Sequence, residues 1–163
     1  MPTEKTLTLP AIDPLRLDAQ KGSPYPPVYR GPLEDRLRRR IGNALGLTSF
    51  GVNIVHLPPG SWSSQRHWHT HQDEFVYVIE GEVTLITDGG EQVLGPGAAA
   101  GFPAGQPDGH HLVNRSETTA VYLEVGDRPA REDTHYPDID MKAELAAGRP
   151  GRFTRRDGSD FEW

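Results

Sequence analysis

The stretch Arg66-His67-Trp68-His69-Thr70-His71-Gln72-Asp73-Glu74-Phe75-Val76-Tyr77-Val78-Ile79-Glu80-Gly81 decides how this chain is read. Three histidines fall within five residues, two acids follow, and an alternating apolar run ends at a glycine. Five of the chain's seven histidines lie between positions 67 and 111. In a β-strand, residues i and i+2 point to the same side. His67 and His69 therefore share a face and could share a cation. Neutral imidazole is the commonest protein ligand for a divalent metal, and a carboxylate adds charge compensation. The stretch thus offers three ligands: His67, His69 and an acid. Glu74 is favoured over Asp73, although the intervening loop prevents strand parity from deciding between them.

The same parity turns Gln65 toward the interior, as a pocket residue or a hydrogen-bonded interior glutamine. It turns Trp62, Trp68 and Tyr77 outward, toward a second layer, a dimer contact or the chain's own arms. His71 reads as a loop residue at the mouth of the pocket. An imidazole there could serve as an acid or base, or as an outer partner of a ligand. His111 reads as a packing or rim histidine beside the pocket.

Outward from this stretch the pattern is strand, turn, strand. Phe50–Leu57, Ser61–His69, Glu74–Glu80, Glu82–Thr87, Glu91–Leu94, Ala98–Phe102, His110–Asn114 and Thr119–Val125 read as short strands. Pro58-Pro59-Gly60, Asp88-Gly89-Gly90 and Gly95-Pro96-Gly97 supply turns between them. About eight short strands with turn signals every ~8–12 residues predict an all-β sandwich or barrel. Three regions result: residues 1–48 as an N-terminal arm, 49–126 as the barrel, and 127–163 as a C-terminal tail. The proline-rich start cannot hold an interior strand or a long helix. Residues 33–46 fit a short helix, with Glu34–Arg38 and Asp35–Arg39 spaced for i,i+4 pairing, or an edge strand around Arg38–Ile41. Arg38-Arg39-Arg40 reads as a solvated face, with a phosphate-binding role as the alternative. In the tail, a short helix fits Met141–Ala147, and a strand and turn fit residues 151–158.

These residues resemble the two motifs of the cupin superfamily. Gly60, His67, His69, Glu74 and Gly81 fill the first, and Gly97, Pro103, Gly105, His110 and Asn114 fill the second. Two spacings depart from the usual pattern: six residues separate Gly60 from His67, and four separate Gly105 from His110. His110 is preferred to His111 in the second motif because it keeps the spacing to Asn114 and shares its strand parity. The resemblance implies a double-stranded β-helix, or jelly roll, with extensions at both ends. It also implies one divalent metal ion (Zn, Fe, Mn or Ni) held by His67, His69, Glu74 and His110, and a homodimer. Three imidazoles and one carboxylate leave coordination positions open, which marks a reactive rather than a closed structural site.

Composition narrows the classes further. The 163 residues suit one domain. A net charge of −6 argues against a nucleic-acid footprint. No apolar run approaches the ~20 residues of a membrane span, and Met1–Lys5 does not begin a secretion signal. With no cysteine, no disulfide framework is available. These features predict a cytoplasmic protein, and the resemblance implies a small-molecule substrate or ligand. The first functional expectation is a metal-dependent enzyme on a small polyoxygenated substrate, like the sugar-phosphate isomerase branch of cupins, with His71 as a base. Only Arg66 and Arg115 lie near the motifs to hold a phosphate. The alternatives are an Fe(II) dioxygenase and a metal-containing binding or sensing protein without turnover.

Overall fold

Along Glu74–Glu80, valines alternate with bulkier apolar residues, and the two sets part to opposite faces. Val76 and Val78 are buried, whereas Phe75, Tyr77 and Ile79 are 40–41% exposed. A computed structural model describes residues 7–146 and 151–163. Met1–Lys5, examined above for a signal, lies outside the described residues. In chain order come β1 (Gln20–Lys21), β2 (Leu37–Arg40), the one-turn helix α1 (Ile41–Ala44), β3 (Phe50–Leu57), β4 (Trp68–His69) and β5 (Glu74–Glu80). Then follow β6 (Val83–Thr87), β7 (Gly90–Leu94), β8 (Ala99–Phe102), β9 (His111–Val113) and β10 (Ala120–Asp127). The chain continues through β11 (Glu132–His135), β12 (Lys142–Leu145) and β13 (Arg152–Thr154).

The strands pair antiparallel in three sheets, ordered β1-β2-β3-β10-β5-β8, β7-β6-β9 and β13-β12-β11-β4. The result is the expected all-β jelly roll. Its main core lies between the first two sheets. Val55, Leu57, Val76, Val78 and Tyr122 meet Val83, Leu85 and Leu112 there.

The flanks contribute more than extended arms. β1 and β2 extend the large sheet, and β11–β13 form a sheet with β4. Tyr25 and Leu33 from the N-terminal side pack with Tyr136, Met141 and Phe161 from the C-terminal side in a second core. Trp62 packs against this cluster, and Trp68 stacks on His135 with ring centroids 4.3 Å apart. The chain's own flanks therefore touch both tryptophans.

Three local expectations change. Ser61–His69 is not one strand: Trp68–His69 is regular, and isolated bridges hold Trp62 and His67. Ser63 Oγ accepts Leu112 N at 2.9 Å, and Ser64 Oγ lies 3.2 Å from His67 Nδ1. Short polar side chains that bond locally in this way compete with a regular ladder. Residues 33–46 contain both a strand and a helix. β2 pairs with β3, and α1 then lies so close to β3 that a Cβ on Gly42 would approach Val52 N to 2.9 Å. The expected Glu34–Arg38 and Asp35–Arg39 pairs give way to Lys21–Asp35 at 3.0 Å and Arg38–Glu124 at 3.5 Å. The described part of Met141–Ala147 is strand rather than helix, because β12 is paired on both sides, by β11 and β13. Tertiary pairing overrides local propensity there; Ala147 lies outside the described residues.

Candidate metal centre

Backbone pairing places two histidines opposite each other before any side chain is considered. His67 N donates to His110 O at 3.1 Å, and His110 N donates to His67 O at 2.8 Å. His69 lies on β4, opposite Thr134 of β11. Glu74 opens β5, facing Gly126 of β10. The loop between His69 and Glu74 is fastened from the C-terminal flank. Thr70 N and His71 N donate to the Glu132 carboxylate at 2.8 and 2.9 Å. Asp73 N donates to Asp127 Oδ1 at 2.7 Å.

The side chains converge on one oxygen. Glu74 Oε2 lies 2.8 Å from His110 Nε2, 3.3 Å from His69 Nε2 and 3.4 Å from His67 Nε2. Donor atoms of His67, His69 and Glu74 all lie within 4.8 Å of one another, and His110 joins them through Glu74. The far side of each of the first two rings is held. His67 Nδ1 lies 2.9 Å from Gln65 O. His69 Nδ1 lies 3.2 Å from Thr134 Oγ1 and 3.3 Å from Glu132 Oε1. Such outer partners orient imidazole ligands and fix their tautomers. Phe102 stacks on His110 with centroids 3.6 Å apart and planes 2° from parallel.

Electrostatics keep the acid ionised. Burial acts to raise the Glu74 carboxyl, but His110, His67 and His69 together hold it well below the ordinary carboxylate range. His69 is raised, because Glu74 and Glu132 outweigh its burial. Burial and the neighbouring His67 and His69 leave His110 lowered despite Glu74.

The donor set suits a divalent cation. His69 Nε2 is buried without a hydrogen-bond partner and faces the Glu74 carboxylate. A metal ion would satisfy this nitrogen and balance the carboxylate charge. The group lines a cavity of about 490 Å³, within the ~300–1,000 Å³ range of small-molecule pockets.

The neighbouring expectations divide. Asp73 is turned away, its Oδ1 accepting Ala104 N at 2.7 Å. His111 is also turned aside: its Nδ1 lies 3.0 Å from Ser64 O, and its ring meets Trp62 edge-on. Gln65 is turned to the N-terminal flank, where its Nε2 donates to Tyr29 O at 2.9 Å. Its expected orientation assumed a continuous strand through residues 61–69, and the bend there removes that parity. His71 is exposed, with Nδ1 2.7 Å from Thr70 Oγ1, and lies outside the cavity lining.

The motif-adjacent arginines are engaged elsewhere. Arg66 pairs with Asp138 at 2.7 Å and with Asp88, and Arg115 pairs with Glu91 at 2.6 Å. The cavity instead receives Arg36, Arg38, Arg40 and Arg128, together with Glu124, Tyr25 and Tyr136. Arg38 and Arg40 thus both line the cavity, Arg38 half-buried and Arg40 still exposed to solvent. Their alternation with Arg39 was the available signal, but it is informative only once β2 is known to be a strand.

Residues 53–126 match the family described as "Cupin domain". The chain is 44% identical to a Silicibacter pomeroyi protein solved as a "sugar phosphate isomerase from a cupin superfamily". That match covers 94% of this chain and 97% of the other, with a TM-score of 0.89. A structure from Acidithiobacillus ferrooxidans is 26% identical, with a TM-score of 0.70, over 79% of this chain and 81% of its own. "Tetracenomycin polyketide synthase protein TcmJ" of Streptomyces glaucescens is 28% identical over 109 residues, which are 66% of this chain and 71% of TcmJ. With both motifs on a jelly roll and a full-length relative at this identity, the chain belongs to the cupin superfamily.

Proposed function

We propose that this cupin is a metal-dependent isomerase of a small polyoxygenated substrate of the sugar-phosphate class, with one divalent ion on His67, His69, Glu74 and His110. The observation that carries the reading is the convergence of three imidazole Nε2 atoms on Glu74 Oε2 beside an open cavity. The likeness to the Silicibacter pomeroyi protein supports the substrate class. When bound, the cation would supply Lewis acidity toward adjacent substrate oxygens.

The chain's own residues would handle the proton. Among the described residues, Glu124 is the cavity's one carboxylate besides Glu74. On adjacent antiparallel strands the two are diagonal neighbours, a relation that spans ~7–8 Å. Asn53 Nδ2 holds Glu124 Oε1 at 2.9 Å, while Oε2 accepts no hydrogen bond among the described residues. Glu124 Oε2 therefore replaces His71 as the group that carries the substrate proton. The Tyr25 and Tyr136 hydroxyls stay protonated, because burial raises both.

The test is solvent exchange: aldose and ketose phosphates in D₂O, followed by NMR at the carbon beside the carbonyl. The metal-loaded protein should incorporate deuterium. Glu124→Gln should slow exchange by about 10²–10⁴-fold while retaining metal, the usual contribution of a general base. No exchange with any such substrate, together with oxygen uptake by the iron form, would replace isomerase with Fe(II) dioxygenase. Metal binding with neither activity would leave a binding or sensing protein.

The protein is further proposed to act in the cytoplasm, in keeping with its lack of cysteine. No helix among the described residues is long and apolar enough to cross a membrane. A homodimer is proposed on the exposed row Phe75, Tyr77 and Ile79 of β5, because adjoining apolar surface on a sheet marks an interaction site.

A further inference from the structure

The cavity's charge is opposite in sign to that of the chain. The protein carries a net −6, yet four arginines line the cavity against Glu74 and Glu124. Pairing across the sheet aligns Arg40 with Asn53, then Glu124, then Val76. The adjacent row aligns Arg38 with Val55, Tyr122 and Val78. Arg38 and Arg40 thus occupy the same inner face as the metal group, which places them beyond Glu124 from Glu74.

Arg128 donates to Leu47 O at 3.0 Å and to Asn43 Oδ1, but the donors of the β2 side are incompletely used. Arg36 is only 5% exposed, and its Nε and that of Arg38 are buried without partners. Arg36 also donates to Ser63 O and Gly22 O, so it fixes the cavity wall. Arg38 faces Glu124 at 3.5 Å, a loose pair. Arg40 makes no hydrogen bond or ion pair among the described residues. Arg40 is solvent-exposed; such burial as it has, with Arg38 and Arg128 nearby, lowers its guanidinium against the pull of Glu124. Neighbouring cations repel one another, and a further anion among them would relieve what Glu124 alone leaves. An excess of positive charge beside a cavity also raises the local concentration of an incoming anion.

We propose that Arg38 and Arg40, with Arg128 beside them, form an anion subsite that takes the phosphate end of the substrate while the metal group takes its oxygenated end. This rests on the isomerase reading for the second half only. A phosphate monoester is preferred to a carboxylate because of donor count. Several guanidiniums supply more N–H groups than two carboxylate oxygens accept, whereas a phosphate ester presents three terminal oxygens. The subsite is formed by β2, outside both motifs, and by the residue following β10.

The test is calorimetric titration of inorganic phosphate into the full-length chain stripped of metal, at low and high salt. Wild type should bind one phosphate per chain, more weakly at high salt. Arg40→Gln and Arg38→Gln should each weaken binding by about tenfold or more. His67→Ala should leave it unchanged. Arg40 holds nothing in place, so its variant should fold, and circular dichroism checks that. Equal binding by both arginine variants, no binding by wild type, or acetate binding as tightly as phosphate would overturn the proposal. If metal binds and phosphate does not, the subsite fails alone. If phosphate binds through the arginines but metal is never taken up, the subsite stands and the isomerase reading falls.

Discussion

Glu132 lies outside both motifs, yet it shapes the site. Its buried carboxylate accepts Thr70 N and His71 N and lies 3.3 Å from His69 Nδ1. It therefore fixes the loop and the imidazole together. A carboxylate behind a metal-ligating histidine typically contributes 10–100-fold in metal affinity. Glu132→Gln should accordingly weaken metal binding by about that factor, measured by competition with a chelator, while the fold remains. Unchanged affinity would show that Thr134 alone orients His69. The grouping of His67, His69, Glu74 and His110 around one point was legible in the sequence because their spacing carries it. The positions of Glu132 and Glu124 beside that group were not, because they depend on which strands become neighbours. Gln65 shows the opposite failure: parity was applied where the backbone bends.

At the level of elements, the motif glycine and asparagine have structural reasons. Gly81 has φ +70°, and a Cβ there would meet Ala120 Cα and Thr119 O at 2.9 Å. Fully buried Asn114 donates to Leu57 O at 2.7 Å and to Thr118 O at 2.8 Å, and its Oδ1 accepts Ser116 N at 2.9 Å. These contacts tie β3 to the turn before β10. The barrel strands were legible because turn residues punctuate them and apolar residues alternate between turns. The flanking strands were obscured, since β11 carries Glu132 and Asp133 on opposite faces, β12 and β13 are very short, and the three gain their order from one another. If the second core is an integral layer, Met141→Ala should destabilise the protein. Met141 is 1% exposed, and burial of that kind predicts a loss of about 2–5 kcal/mol in denaturant unfolding. A change below about 0.5 kcal/mol would mean that the tail is a loose appendage.

At the scale of the whole molecule, the two faces of the large sheet have different tasks. The inner face carries Arg38, Arg40, Glu124 and Glu74 toward the cavity. The outer face presents Phe75, Tyr77 and Ile79, beside Leu123 and Val125 of β10. If a second copy covers that face, light scattering should give twice the chain mass of 18.0 kDa. Tyr77→Arg should then shift the protein toward monomer, because an unpaired charge is buried at the contact. A wild-type monomer at micromolar concentration would remove the dimer proposal and leave the metal centre untouched.

His67, His69, Glu74 and His110 should together hold one metal ion, and elemental analysis tests this most directly. Protein purified without an affinity tag should carry one divalent ion per chain, or regain one after stripping and reconstitution. Glu74→Ala and His110→Ala should lose most of it, whereas His111→Ala should keep it. A folded wild-type chain that holds no metal and takes none up would contradict the account.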